Sequence, residues 1–107
     1  MRKLDLRNYE VTQKVRGGDG SPVDVTGPFN VKDSVVNILF LPELKLRGAA
    51  LVRQNILAMK IEQSKDEVML EEEEYERVKA AAEAYPSQSR ADVELIDRIL
   101  NQTDKIN

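Results

Sequence analysis

Four consecutive glutamates, Glu71–Glu74, are the densest group of carboxylates in the chain and the first place to look for a metal or acid–base site. Consecutive residues on a helix point in different directions, and the calcium-loop pattern of spaced Asp/Asn around a central glycine is missing. These four therefore read as a solvated helix start. Asp19 and Asp24, beside the glycine-rich stretch RGGDGSP at 16–22, offer carboxylates to a cation but have no defined ligand spacing. The glycines themselves lack a Gly-Lys-Ser/Thr ending and do not lead into a helix, so they do not form a phosphate loop. Couples such as Ser34 with Lys45, or Asp33 with Lys60, can be written down, but any chain of this composition contains them. There is no cysteine and no histidine. That removes disulfides, thiolate nucleophiles, Cys/His zinc sites and Ser–His or Cys–His relays. The expectation is a protein that is not an enzyme, with no cofactor and no metal.

Basic residues carry the other chemistry available, recognition of charged partners. Arg2, Lys3, Arg7, Lys14 and Arg16 lie in the first segment; Lys45, Arg47, Arg53 and Lys60 lie along a later helix and its approach. A basic β-ribbon can enter a nucleic-acid groove. Against this stand a pI near 5.0, few aromatics for base stacking and no known binding motif. The charge is also uneven: residues 1–60 hold 10 basic and 6 acidic side chains, residues 61–107 hold 6 and 13. Two differently solvated surfaces explain this, as do complementary halves that meet between copies in head-to-tail contacts.

The elements that position these groups follow from the apolar pattern. A chain of 107 residues with 33% charged and 5% aromatic side chains is expected to form one domain with an aliphatic core. Its centre is VKDSVVNILF, Val31–Phe40. As a helix this run has Asn30 as N-cap, Asp33 in the first turn, Val31, Val35, Ile38 and Leu39 on one face, and a stop at Pro42. A buried strand is the competing form, since Val and Ile favour sheets; the cap and stop favour helix.

Before that run the spacing is period-two. Leu4 and Leu6, then Tyr9, Val11 and Val15 on the opposite parity, imply a kink near Arg7–Asn8. Val23 and Val25 resume the alternation after the glycines. Residues 1–30 thus read as a β-hairpin with a mobile tip, its apolar face laid on the helices or joined to a sheet in a partner chain. After the run, a helix over Ala49–Gln63 carries Val52, Ile56 and Met59 in one stripe and Ala50, Leu57 and Ile61 in another. So wide an apolar surface places it centrally in the fold, with packing against another molecule as the alternative. Val68–Leu70 fits a third short strand or the hydrophobic lead-in to the next helix. That helix, about Glu72–Tyr85, buries Tyr75, Val78, Ala82 and Tyr85 and ends at Pro86. After the link PSQSR, Ser89 and Asp92 form a capping signature for a last helix, about Arg90–Asn101, with Val93, Ile96, Ile99 and Leu100 as its apolar face. Residues 102–107 should fray.

The order VKDSVVNILF, LEEEEYERVKAA, DVELIDRIL is similar in style to small accessory proteins of tailed-phage and mobile-element genomes. The resemblance implies a cysteine-poor, mixed α/β chain that acts by binding other proteins, as a virus-encoded assembly or regulatory factor. The expected architecture is α+β: an N-terminal antiparallel hairpin packed on three to four helices within a single domain, the helical part spanning 31–101. The expected function is a non-enzymatic protein-interaction module that self-associates or docks into a larger assembly, with Arg7, Lys14, Arg16, Lys45, Arg47, Arg53 and Lys60 on its contact surface. The alternative is a nucleic-acid-binding regulator using the same basic residues. No apolar run reaches the roughly 20 residues that span a bilayer, and MRKLDLRNYE lacks a signal-type apolar region, so an intracellular protein without membrane association is expected.

Overall fold

The computed structural model describes residues 1–86 and 89–103. In chain order they form β1 (Arg2–Asp5), β2 (Tyr9–Arg16), β3 (Pro22–Phe29), α1 (Val31–Ile38), α2 (Ala49–Gln63), β4 (Glu67–Leu70), α3 (Glu72–Ala84) and α4 (Val93–Asn101). Single 3-10 turns occupy Pro42–Leu44 and Arg90–Asp92. The class is α+β.

The core is aliphatic, and α1 lies within it. Val31, Val35, Ile38 and Leu39 are all buried, and Leu57 and Ile61 of α2, Tyr75 and Val78 of α3, and Leu95 and Ile99 of α4 pack in the same cluster. The helical reading of Val31–Phe40 holds because the start is capped: the Asn30 side chain accepts from the Asp33 N–H at 3.1 Å and donates to the Asp33 carboxylate at 2.9 Å. The helix ends at Ile38, two residues earlier than the apolar run. Phe40 is 37% exposed, because the chain has already turned away from the core there. A 3-10 turn follows, and Lys45 closes it in the left-handed region at φ +52°.

The β-structure is divided differently from the expectation. β1 does not belong to the hairpin; it pairs antiparallel with β4, Leu4 opposite Val68. Leu4, Val68 and Leu70 face the core while Lys3, Glu67 and Met69 face water, so alternation selects the face. Val68–Leu70 is therefore a strand as well as the lead-in to α3. The kink near Arg7–Asn8 is where the chain leaves one sheet for the other. The hairpin proper is β2–β3, registered Tyr9↔Phe29 through Arg16↔Pro22. At its tip the Gly17 N–H donates to the Ser21 carbonyl at 2.8 Å, and the Asp19 carboxylate accepts from the Ser21 N–H at 2.9 Å.

Only the base of this hairpin rests on the helices. The rings of Tyr9 and Phe29 stack at 4.7 Å and pack against the core, while Val15, Val23 and Val25 remain exposed. The hairpin projects as an arm. The molecule extends 51 × 32 × 23 Å with a radius of gyration of 15.5 Å, where a compact chain of this length has about 13 Å.

Three helical expectations need correction. On α2, Leu57 and Ile61 face the core, but Val52, Ile56 and Met59 lie on the opposite side and are exposed, Val52 and Ile56 at 61%; α2 is a wall of the fold, not its centre. On α4, Val93 is 62% exposed and Leu95 is buried instead, because Arg90–Asp92 form a 3-10 turn that rotates the start of the helix. Ser89 and Asp92 do form the reciprocal cap, around that turn. The tail does not fray from residue 102: Thr103 is buried, its hydroxyl donating to the Arg98 carbonyl and its own carbonyl accepting from Arg2 at 2.9 Å. Residues 104–107, and 87–88 of the link, lie outside the described residues.

Candidate interaction surfaces

The basic residues singled out by the sequence do not converge. The Arg7 guanidinium is held by Asp5 at 3.0 Å, an interaction that draws the Asp5 carboxyl below its ordinary value of 3.8 against the opposing effect of partial burial. Lys60 donates to Glu74 at 2.8 Å. Burial raises the Glu74 carboxyl, but Lys60 and the Glu71 N–H more than reverse this, leaving it below 4.5. Lys14 sits across the hairpin from Asp24. Lys45, Arg47 and Arg53 are exposed, and among the described residues no ion pair engages them.

The charge asymmetry of the sequence is partly closed within the subunit. Arg2 pairs with Glu72 at 2.8 Å, Lys3 with Glu67 at 3.5 Å and Lys60 with Glu74 at 2.8 Å, each joining a cation of the basic first half to a carboxylate of the acidic second half, while Arg98 with Asp5 at 3.8 Å joins the halves in the opposite sense. Arg2 also lies over the Tyr75 ring at 4.2 Å. Arg98 is nearly buried, donates to the Arg7 carbonyl at 2.5 Å and lies over the Tyr9 ring at 5.1 Å. These arginines fasten β1, α3 and α4 together.

Among the described residues, two apolar surfaces are open to solvent. One is the hairpin face formed by Tyr9, Val11, Val15, Val23, Val25 and Phe29, which the register places on one side of the ribbon. Tyr9 and Phe29 are partly buried at the base; Val25, at 49%, and its neighbours toward the tip are open. The other is the outer stripe of α2, where Leu51, Val52, Ile56 and Met59 line up at helical spacing. The sequence displayed all of these residues as apolar. It did not reveal which were left without partners.

Two concavities among the described residues are open grooves. One of about 730 Å³ is walled by Lys3, Asp5, Arg7, Glu67 and Arg98, whose charges already pair with one another. Another, about 760 Å³, separates β2 from the turn before α4. Among the described residues no cluster of His, Cys, Asp and Glu is arranged to hold a metal ion, and no helix is long and apolar enough to cross a membrane.

Fold and surface together define an α+β domain with a projecting β-arm. No family model, curated protein or solved structure matches the chain.

Proposed function

We propose that this chain is a non-enzymatic protein-interaction module, self-associating or docking into a larger assembly, of the kind that tailed-phage accessory factors provide. The observation that carries this reading is the arm. An isolated two-stranded ribbon is marginal in water, yet here two eight-residue strands extend from the body with valines exposed toward the tip. A partner surface would complete the fold there. The outer stripe of α2 adds a second apolar contact face on the same molecule.

The nucleic-acid alternative draws less support. The hairpin segment 9–29 carries Lys14 and Arg16 but also Glu10, Asp19 and Asp24, so the ribbon is not a basic one. Arg7 and Lys60 are engaged by carboxylates, and the exposed basic residues are divided between Lys14 and Arg16 on the arm and Lys45, Arg47 and Arg53 around the start of α2.

Light scattering at two protein concentrations tests the self-associating form. A mass above that of the 12.1 kDa chain, rising with concentration and lowered by Val23→Lys/Val25→Lys or by Val52→Lys/Ile56→Lys, supports it. A mass fixed at the monomer value throughout defeats it. A gel shift titrated with salt checks the alternative, since phosphate contacts weaken steeply as salt rises.

A further inference from the structure

We infer that the free edge of β2 is a strand-pairing site, and that its occupant is β2 of a second copy, joined antiparallel about a two-fold axis at Thr12 into a four-stranded sheet. This pairing rests on the interaction role proposed above and gives it a register.

The two edges of the hairpin are not equivalent. The Gly17–Ser21 hydrogen bond closes the turn, and antiparallel ladders alternate from there. Odd-numbered residues of both strands therefore bond within the hairpin, while even-numbered residues turn their N–H and C=O groups outward. On β3 those outward residues are Pro22, Asp24, Thr26 and Pro28, so both ends of that edge lack a donor. Prolines on an edge are a standard protection against pairing. On β2 the outward residues are Glu10, Thr12, Lys14 and Arg16, and every one keeps its N–H. One edge is blunted and the other is open.

The open edge also has room beside it. The groove of about 760 Å³ is lined on one side by six consecutive residues, Tyr9 to Lys14. Both parities contribute, so the groove runs along the backbone edge and not along one face. Its other wall, Ser89 to Glu94, lies under the apolar side of the ribbon, because the Tyr9 hydroxyl donates to the Ala91 carbonyl at 2.7 Å on that side.

Charge chooses the occupant. The outward face of β2 reads Glu10, Thr12, Lys14, an order complementary to itself when reversed. With Thr12 on the axis, Glu10 lies opposite Lys14 of the partner subunit and Lys14 opposite Glu10 of the partner subunit. The even-on-even register also matches hydrogen-bonding parity. On the apolar side, Val15 of the partner subunit comes opposite Tyr9, over the wall that includes Val93. Val15 and Val93 are both exposed in the single chain, and this arrangement covers both. The contact is isologous, so it closes at a dimer.

The chain has no cysteine, so a single introduced thiol reports the register. Residues directly opposite across such an edge have Cα atoms about 5.5 Å apart, within disulfide reach. Thr26 faces Thr12 across the hairpin, which puts the two copies of Thr26 about three strand spacings, or roughly 14 Å, apart. Mild oxidation of Thr12→Cys should yield a covalent dimer, and Thr26→Cys should not. Thr12→Pro removes the outward N–H together with the exposed hydroxyl contact between Thr12 and Thr26 at 2.8 Å, and Thr12→Val removes the hydroxyl alone; both should leave the circular-dichroism melt near that of the parent, while only the proline abolishes the dimer in sedimentation. Glu10→Lys should weaken dimerisation by about tenfold, and adding Lys14→Glu with Asp24→Lys, which keeps opposite charges across the hairpin at that register position, should restore it. A dimer that survives Thr12→Pro, or cross-links through Thr26→Cys instead, overturns this pairing while leaving the interaction role intact. A protein monomeric at every concentration overturns the pairing and the self-associating form together.

Discussion

The Tyr9 hydroxyl donates to the Ala91 carbonyl at 2.7 Å across 82 residues of sequence, and it also accepts from the Leu95 N–H at 3.3 Å. One phenol thus ties the base of the arm to the turn that opens α4. Burial raises its pKa above the ordinary 10.0, a rise that the Leu95 N–H only partly offsets. Tyr9→Phe keeps the stacking on Phe29 and removes both hydrogen bonds. It should cost about 1–3 kcal/mol in urea unfolding, since the Ala91 and Leu95 groups lose their partner, with faster amide exchange in β2.

Leu39 and Phe40 are neighbours in the sequence but not in their environments: the first is fully buried and the second is on the surface. Leu39→Ala should destabilise by about 2–5 kcal/mol through lost burial and a residual cavity. Phe40→Ala should cost less, about 1–2 kcal/mol, for the part of the ring that remains covered. Equal losses in a denaturant titration would mean that α1 does not end where the structure ends it.

The Asn30 cap predicts a graded series. Asn30→Ala should cost about 1 kcal/mol, because the Asp33 N–H loses its acceptor, and Asn30→Ser should recover most of it. Thermal melts followed by far-ultraviolet dichroism measure both.

Lys45 adopts φ +52° without being glycine. Left-handed backbone costs a side-chain-bearing residue roughly 1 kcal/mol or more, so Lys45→Gly should raise stability by up to about 1 kcal/mol, less the entropy that glycine adds to the unfolded chain. An unchanged or lowered denaturation midpoint would show that the turn after α1 is not strained at this position.

The dependence on pH follows from Asp5 and Glu74. Both carboxyls lie below their ordinary values of 3.8 and 4.5 in the fold, Asp5 chiefly through the Arg7 hydrogen bond, Glu74 through Lys60 and the Glu71 N–H acting against burial. Their contribution is complete above those ordinary values and is lost as pH falls through the folded ones. With no histidine in the chain, urea midpoints should stay level from pH 6 to 7.5 and decline below about pH 4.5. Asp5→Asn and Glu74→Gln together should flatten part of that acid limb.

Much of this architecture was legible beforehand, for local reasons. The Asn30 cap, the bounds of α2, the glutamate-rich start of α3 and the Ser89–Asp92 signature depend on residues a few positions apart, and each is found in the structure. Face assignment was less secure wherever an element carried apolar residues on two sides. On α2 the stripe Val52–Ile56–Met59 and the pair Leu57–Ile61 are equally apolar, and only docking against α1 distinguished them. On α4, one 3-10 turn exchanged Val93 for Leu95.

The sequence determined the aliphatic centre, the helix limits, the alternation of each strand and the absence of histidine and cysteine chemistry, because composition and short-range spacing set these. Tertiary structure decided that β1 leaves the hairpin for β4, that Arg2, Lys3 and Lys60 of the basic half pair with carboxylates of the acidic half, and that the arm keeps an apolar face and one open edge. Those outcomes depend on which surfaces meet between segments distant in the chain. A strand's period of two gives it two faces and two edges but does not say which of them a partner will cover.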